Sequence, residues 1–161
     1  MAYSFDTNGV HMVMLGRWAD PGVLQWLQRD LAAVGTSAYV VLGIHYPLDN
    51  SDYNDLDTWY KPADRNAMGA VIAGYKVVAI LNGHTHVANT YKLTPAHAAG
   101  APAYTYDCID DGSLGRVGDF GVMHITLSKL TYAQYLPTFN KTGDWTGGGF
   151  TNVRLSKDLG S

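Results

Sequence analysis

Three histidines fall where chemistry is built. His45 follows the apolar run Ala38-Tyr39-Val40-Val41-Leu42-Gly43-Ile44, and His84 and His86 follow a second run, Val77-Val78-Ala79-Ile80-Leu81, across the turn Asn82-Gly83. Neutral imidazole suits zinc, iron, manganese, nickel or copper better than magnesium or calcium. Three protein ligands leave a position for water, and a metal so held lowers the pKa of that water toward neutrality. The chemistry to expect is hydrolysis by a metal-bound hydroxide, with the metal's charge stabilising the developing oxyanion. In an extended segment residues i and i+2 point the same way, so His84 and His86 can share one ion or serve two adjacent ones. Tyr46, beside His45, and Asn82, before His84, are candidates for substrate contact. Other groups read as structural. His11 and His124 sit inside alternating strands, and His97 lies in a loop-like Pro95-Ala96-His97-Ala98. Asp49, Asp52, Asp55 and Asp57 read as solvated loop acids. Asp107, Asp110 and Asp111 read the same way, and Asp110-Asp111-Gly112 makes an ordinary turn. Cys108 reads as a small buried side chain.

The elements that must deliver the histidines can be traced from local pattern. Val10–Leu15 is a short apolar strand after the turn Asn8-Gly9. Asp20-Pro21 starts a helix, with Asp as N-cap and Pro where its missing N–H costs nothing. Leu24, Leu27, Leu31 and Val34 continue at helical spacing, and Gly35 suits the left-handed stop. Residues 38–44 and 77–81, apolar on both faces, read as interior strands of a covered sheet. Between them an amphipathic helix is expected around Ala63–Tyr75, with Met68, Val71, Ile72 and Tyr75 on one face. Parallel neighbours joined by right-handed crossovers place their carboxyl ends side by side, and ligand sites in open α/β sheets form in that crevice. After Val87 short β-like pieces follow: Thr90–Leu93, Ala103–Ile109, Gly121–Leu127 and Leu130–Tyr135. A polar tail from Pro137 contains Gly147-Gly148-Gly149. The expected organisation is one mixed α/β domain over 1–161, β-α-β-α-β over 1–86 and a β meander with tail over 87–161.

Composition narrows the function classes. Hydrophobic residues make up 47% of the 161 and charged residues 16%, against about 25% in typical domains, which argues against disorder. A net charge of −3 without a Lys/Arg cluster excludes a basic footprint for nucleic acid. A single cysteine excludes an intrachain disulfide and a thiolate zinc site. No apolar run approaches the roughly 18 residues of a membrane helix, and the first residues lack the pattern of a signal peptide. The chain as it stands is expected to be soluble and cytoplasmic.

Taken in order, Tyr3-Ser4-Phe5-Asp6, the strand Val10–Leu15, the helix Gln25-Trp26-Leu27-Gln28-Arg29-Asp30-Leu31, Ile44-His45-Tyr46-Pro47 and Gly83-His84-Thr85-His86 resemble the calcineurin-like metallophosphoesterases. The resemblance covers about residues 3–135 and corresponds to the carboxyl-terminal half of the family's domain. It implies a partial form of that fold, with mixed sheets, two flanking helices and a β-rich carboxyl-terminal part. It also implies a binuclear centre at the junction of two sheets, where His45 and His84 ligate one metal and His86 the other. Zinc is the first expectation, then manganese or iron. The family's amino-terminal Asp-x-His, Gly-Asp-x-x-Asp and Gly-Asn-His-Asp/Glu motifs have no counterpart in this chain. The expected activity is therefore cleavage of small phosphate esters with good leaving groups, diesters or triesters. The alternative is a catalytically silent metal-binding or structural fragment. The apolar surface left by the absent half implies a homodimer.

Overall fold

The computed structural model describes residues 1–48, 60–96, 102–112, 118–151 and 154–160, which form a mixed α/β structure of two sheets and two helices. The hairpin of β1 (Tyr3–Thr7) and β2 (Val10–Met14) turns at Asn8-Gly9, with φ of 46° and 77°. That mirror-image turn matches the twist of the flanking strands, which explains the Asn-Gly pair. The helix α1 (Pro21–Val34) is capped as its sequence demands. Asp20 accepts a hydrogen bond from the Val23 N–H at 2.9 Å, and Gly35, at φ 85°, donates to the Leu31 carbonyl at 2.9 Å. β3 (Tyr39–Gly43) then pairs parallel with β2, and α2 (Pro62–Ile72) leads into β4 (Lys76–Asn82), parallel to β3.

The two apolar faces of these strands meet different partners. Val13, Leu15, Val40, Leu42 and Ile80 pack with Leu27 and Leu31 of α1 and Met68 and Ile72 of α2. Val10, Val41, Ala79 and Ile109 face Leu130, Tyr132 and Leu155 from the second sheet and Leu159 just beyond its last strand. Each fully buried aliphatic side chain contributes about 1.5–3 kcal/mol. The continuous apolar runs thus reflect burial on both sides.

The chain after Val87 is arranged differently from a simple meander. β5 (Asn89–Leu93) and β6 (Tyr106–Asp110) form a hairpin that joins the first sheet, β6 lying parallel to β4, so the order is β1-β2-β3-β4-β6-β5. β7 (Phe120–Ile125), β8 (Lys129–Phe139) and β10 (Leu155–Asp158) make the second sheet, with β9 (Trp145–Phe150) also paired to β8. Two strands therefore lie in the tail that composition marks as polar and irregular. Gly148 serves packing, because a Cβ there would collide with the Tyr135 ring, whereas a Cβ on Gly149 would meet open space. The loop acids Asp49, Asp52, Asp55 and Asp57, and His97, lie outside the described residues.

His11 ties the hairpin to α1. Its ring, 6% exposed, donates from Nδ1 to Asp6 at 2.7 Å and from Nε2 to Asp30 at 2.9 Å, and the Ser4 hydroxyl donates to the other Asp30 oxygen at 2.8 Å. Two carboxylate partners require both ring nitrogens to carry protons. Burial alone would lower the His11 pKa, but the hydrogen bonds and charges of Asp30 and Asp6 outweigh it and raise the pKa above 6.5. A raised folded-state pKa means stability that is complete below the unfolded value and lost as pH rises through the folded one. Denaturant unfolding between pH 6 and 9 should show that decline in the wild type. His11→Gln should start lower, by about 1.5–3 kcal/mol for a charge-assisted bond, and stay flat. Parallel curves for the two proteins would remove the clamp.

Candidate metal centre

The parallel strands β2, β3 and β4 end at one edge, and their following turns are stitched together. The Leu15 N–H donates to the Gly43 carbonyl at 2.8 Å, the His45 N–H to Gly16 at 2.8 Å, and the Gly83 N–H to His45 at 3.0 Å. This stitching places His45, exposed after β3, against His84, after β4, with Nε2 of His45 3.1 Å from Nδ1 of His84. The contact is an imidazole–imidazole hydrogen bond, and its length also falls within the about 2.9–3.4 Å that separates two nitrogens each about 2.0–2.1 Å from one ion, so the spacing is compatible with a metal cradle.

The stretch Gly83–Ala88 is a bend rather than an extended strand. His84 and His86 both have left-handed backbones, at φ 75° and 60°, so the alternation expected for residues i and i+2 does not hold. His84 turns onto His45, while His86 is exposed yet near enough for its charge to act on His45. Among the described residues no group of three His, Cys, Asp or Glu gathers to hold one ion. Among the described residues the structure brings His45 and His84 into direct contact, with His86 exposed nearby. Burial, then the charges of Arg17 and His86, lower the His45 pKa, which favours the neutral, ligand-competent imidazole.

Tyr46 and Asn82 both brace the turns that carry the histidines. The Tyr46 side chain is buried among Trp18, His45 and His84, with ring centroids 4.3, 5.0 and 4.4 Å away, and its hydroxyl accepts from Arg17 at 2.5 Å. Asn82, 5% exposed, donates to the Ile44 and Tyr46 carbonyls at 3.4 and 3.5 Å and accepts from the Tyr91 hydroxyl at 2.9 Å. Its amide links the β3 and β4 turns, and the residue also borders the cavity beside His45.

Two residues of the site escape the sequence reading. Arg17, after β2, brings a guanidinium to the rim beside His45 and Tyr46. Asp110 ends β6 opposite Asn82, and it is a buried strand residue, 2% exposed, rather than a solvated turn acid. One of its oxygens accepts from the Thr85 hydroxyl at 2.5 Å, and the other has no hydrogen-bond partner among the described residues. Burial pushes its pKa up to about 6, against the Thr85 hydrogen bond, and the Asp111 charge adds to the rise. The available signal was an acid closing a β-like piece, level with Asn82 and so close to the strand ends that carry His45 and His84. Among the residues read as structural, Cys108 is buried and His124 is exposed on β7.

No family model matches the chain. Purple acid phosphatase 22 of Arabidopsis thaliana is 34% identical over 116 residues, 68% of this chain and 26% of that protein. Probable purple acid phosphatase 20 of the same plant is 31% identical over 156 residues, 83% of this chain and 36% of that one. A solved structure of a putative 5'-nucleotidase from Staphylococcus aureus aligns over 92% of this chain and 28% of its own, at 10% identity and a TM-score of 0.35, a loose likeness. The chain spans about a quarter to a third of the curated relatives it matches. Across the matched residues it is a homologue of the purple acid phosphatases, and so of the calcineurin-like metallophosphoesterases.

Proposed function

We propose that this chain contributes the His45–His84 edge of a metal-dependent phosphoesterase centre, acting on phosphate esters with good leaving groups, diesters and triesters among them. The observation that carries this reading is the 3.1 Å separation of two imidazole nitrogens at the ends of adjacent parallel strands. Relatives named as purple acid phosphatases support it. His45 and His84 would hold a divalent transition metal, zinc first and then manganese or iron, and His86 would serve a second ion. When bound, such a metal supplies charge that activates water and stabilises developing negative charge on a phosphoryl oxygen. The chain's own residues orient the pair. Tyr46 packs against both rings, Asn82 joins their two turns, and Arg17 adds positive charge at the rim.

We further propose that two copies associate. Tyr3 and Phe5, 54% and 48% exposed with rings 6.5 Å apart, lie on β1, an edge of the six-stranded sheet. An edge strand presents unpaired backbone groups that a second copy can satisfy. No helix among the described residues is long and apolar enough to cross a membrane.

One purified sample tests the reading. Metal content, light-scattering mass and hydrolysis of aryl phosphodiesters are measured with and without exhaustive chelation. The expected result is at least one ion per chain, the mass of two chains, and activity lost on chelation and restored by zinc or manganese. Activity that survives metal removal would overturn the metal reading. Metal binding without turnover would favour the silent fragment, the reading to which the lack of a three-ligand cluster among the described residues points.

A further inference from the structure

A cavity of about 550 Å³ opens beside the histidine pair, on the face of the first sheet opposite the helices. Its size lies within the range of small-molecule sites, about 300–1,000 Å³. Its wall is divided by chemistry. Tyr3, Met14, Ile44 and Leu81 line it, with Arg17 and His45 on the side of the strand ends. Besides Tyr3, which is exposed and carries a hydroxyl, two more polar side chains line the wall, and both are engaged within the protein. Asn82 is bonded at both ends, and Asp111 accepts from the Tyr132 hydroxyl at 2.8 Å and the Gly121 N–H at 2.9 Å. Most of the remaining wall is apolar, so the larger part of a ligand's contact there is with hydrocarbon and thioether surface. Arg17 differs, because a guanidinium carries five N–H donors and among the described residues one hydrogen bond is seen, to Tyr46.

We infer that this cavity receives the apolar alcohol portion of a phosphate ester while Arg17 holds its anionic oxygens, so that the preferred substrates are esters of aryl or similarly flat apolar alcohols. The inference rests on the phosphoesterase reading and names the substrate class of that site. Met14 suits a flat ring in particular. Its side chain covers Gly43, where a Cβ would stand 2.6–2.7 Å from its terminal methyl and sulfur. A thioether over a residue without a side chain can shift to fit a ligand, and sulfur makes favourable contacts with aromatic edges. Arg17 acts at the phosphoryl end, where a planar fork matches two oxygens.

Binding of non-hydrolysable probes separates the two ideas. Naphthylphosphonate, methylphosphonate and 2-naphthol are titrated into chain labelled with methyl-13C methionine, the Met14 signal being assigned with Met14→Leu. Naphthylphosphonate should bind about tenfold or more tightly than methylphosphonate and move the Met14 methyl. Arg17→Gln should weaken both phosphonates by a similar factor and leave 2-naphthol unaffected. Gly43→Ala, which pushes Met14 into the cavity, should reduce the naphthyl advantage. Equal affinity for the two phosphonates, or an unmoved Met14 signal, would overturn the substrate class and leave the phosphoesterase reading standing. Binding of 2-naphthol without the phosphonates would overturn it as well. Clear discrimination in a chain that shows no hydrolysis in the chelation test would retain the pocket and end the catalytic reading.

Discussion

Asp110→Ala should cut phosphoester hydrolysis by about 10–100-fold, the range for residues that orient a metal ligand without touching the metal, while Asp110→Asn keeps most of it. The reason lies in the loop that carries His84. Thr85 stands between two histidines held at φ 75° and 60°. Each left-handed non-glycine residue costs roughly 1–2 kcal/mol, so the loop needs an outside anchor. Thr85 supplies it, donating to Asp110 across from β6 and meeting the backbone of Val87 at 3.2 Å. Alanine removes the acceptor, whereas asparagine retains one. The two variants should also differ in stability. The Asp110 carboxyl, buried and raised from 3.8 to about 6, is held more easily as the acid. Wild-type stability therefore falls as pH rises through that window, because the folded state binds the extra proton. Asp110→Asn should gain ~2–3 kcal/mol near pH 8 and nothing below pH 4. Paired unfolding curves and rates decide the matter. Equal rates in the alanine and asparagine variants would exclude the anchoring role.

His84→Ala is the second large effect. Loss of a ligand must exceed loss of its support, so the rate should fall by more than about 100-fold, with metal content reduced in step. The fold should persist, because His84 is only partly buried and belongs to neither apolar cluster. His84→Gly separates chemistry from strain. Glycine suits φ 75° and should restore about 1 kcal/mol of stability relative to alanine without restoring rate. A glycine variant as active as the wild type would sink the ligand assignment.

How much of this was legible depended on whether the determining contacts were local. The α1 boundaries could be read because Asp20, Pro21 and Gly35 act within a turn of themselves. The convergence of His45 and His84 could be read because parallel crossovers align strand ends. The left-handed backbone at His84 and His86 could not, since it is imposed through Thr85 by a strand distant in sequence. Arg17 and Asp110 were missed for the same reason, each gaining its place by tertiary contact. β1 and β9 escaped notice because their side chains are largely exposed and β9 is rich in glycine, so neither shows the apolar alternation of a half-buried strand.

The order of β4 and β6 in the sheet also bears on assembly. Both histidines are present in the chain by residue 84, yet the acceptor that steadies their loop arrives with β6, after the β5 hairpin partner has been made. Closing that span delays the pairing. During synthesis the growing polypeptide thus passes through an interval in which both imidazoles exist but Asp110, the acceptor that anchors the Thr85 loop, does not, so the loop carrying His84 is fixed only once β6 has paired.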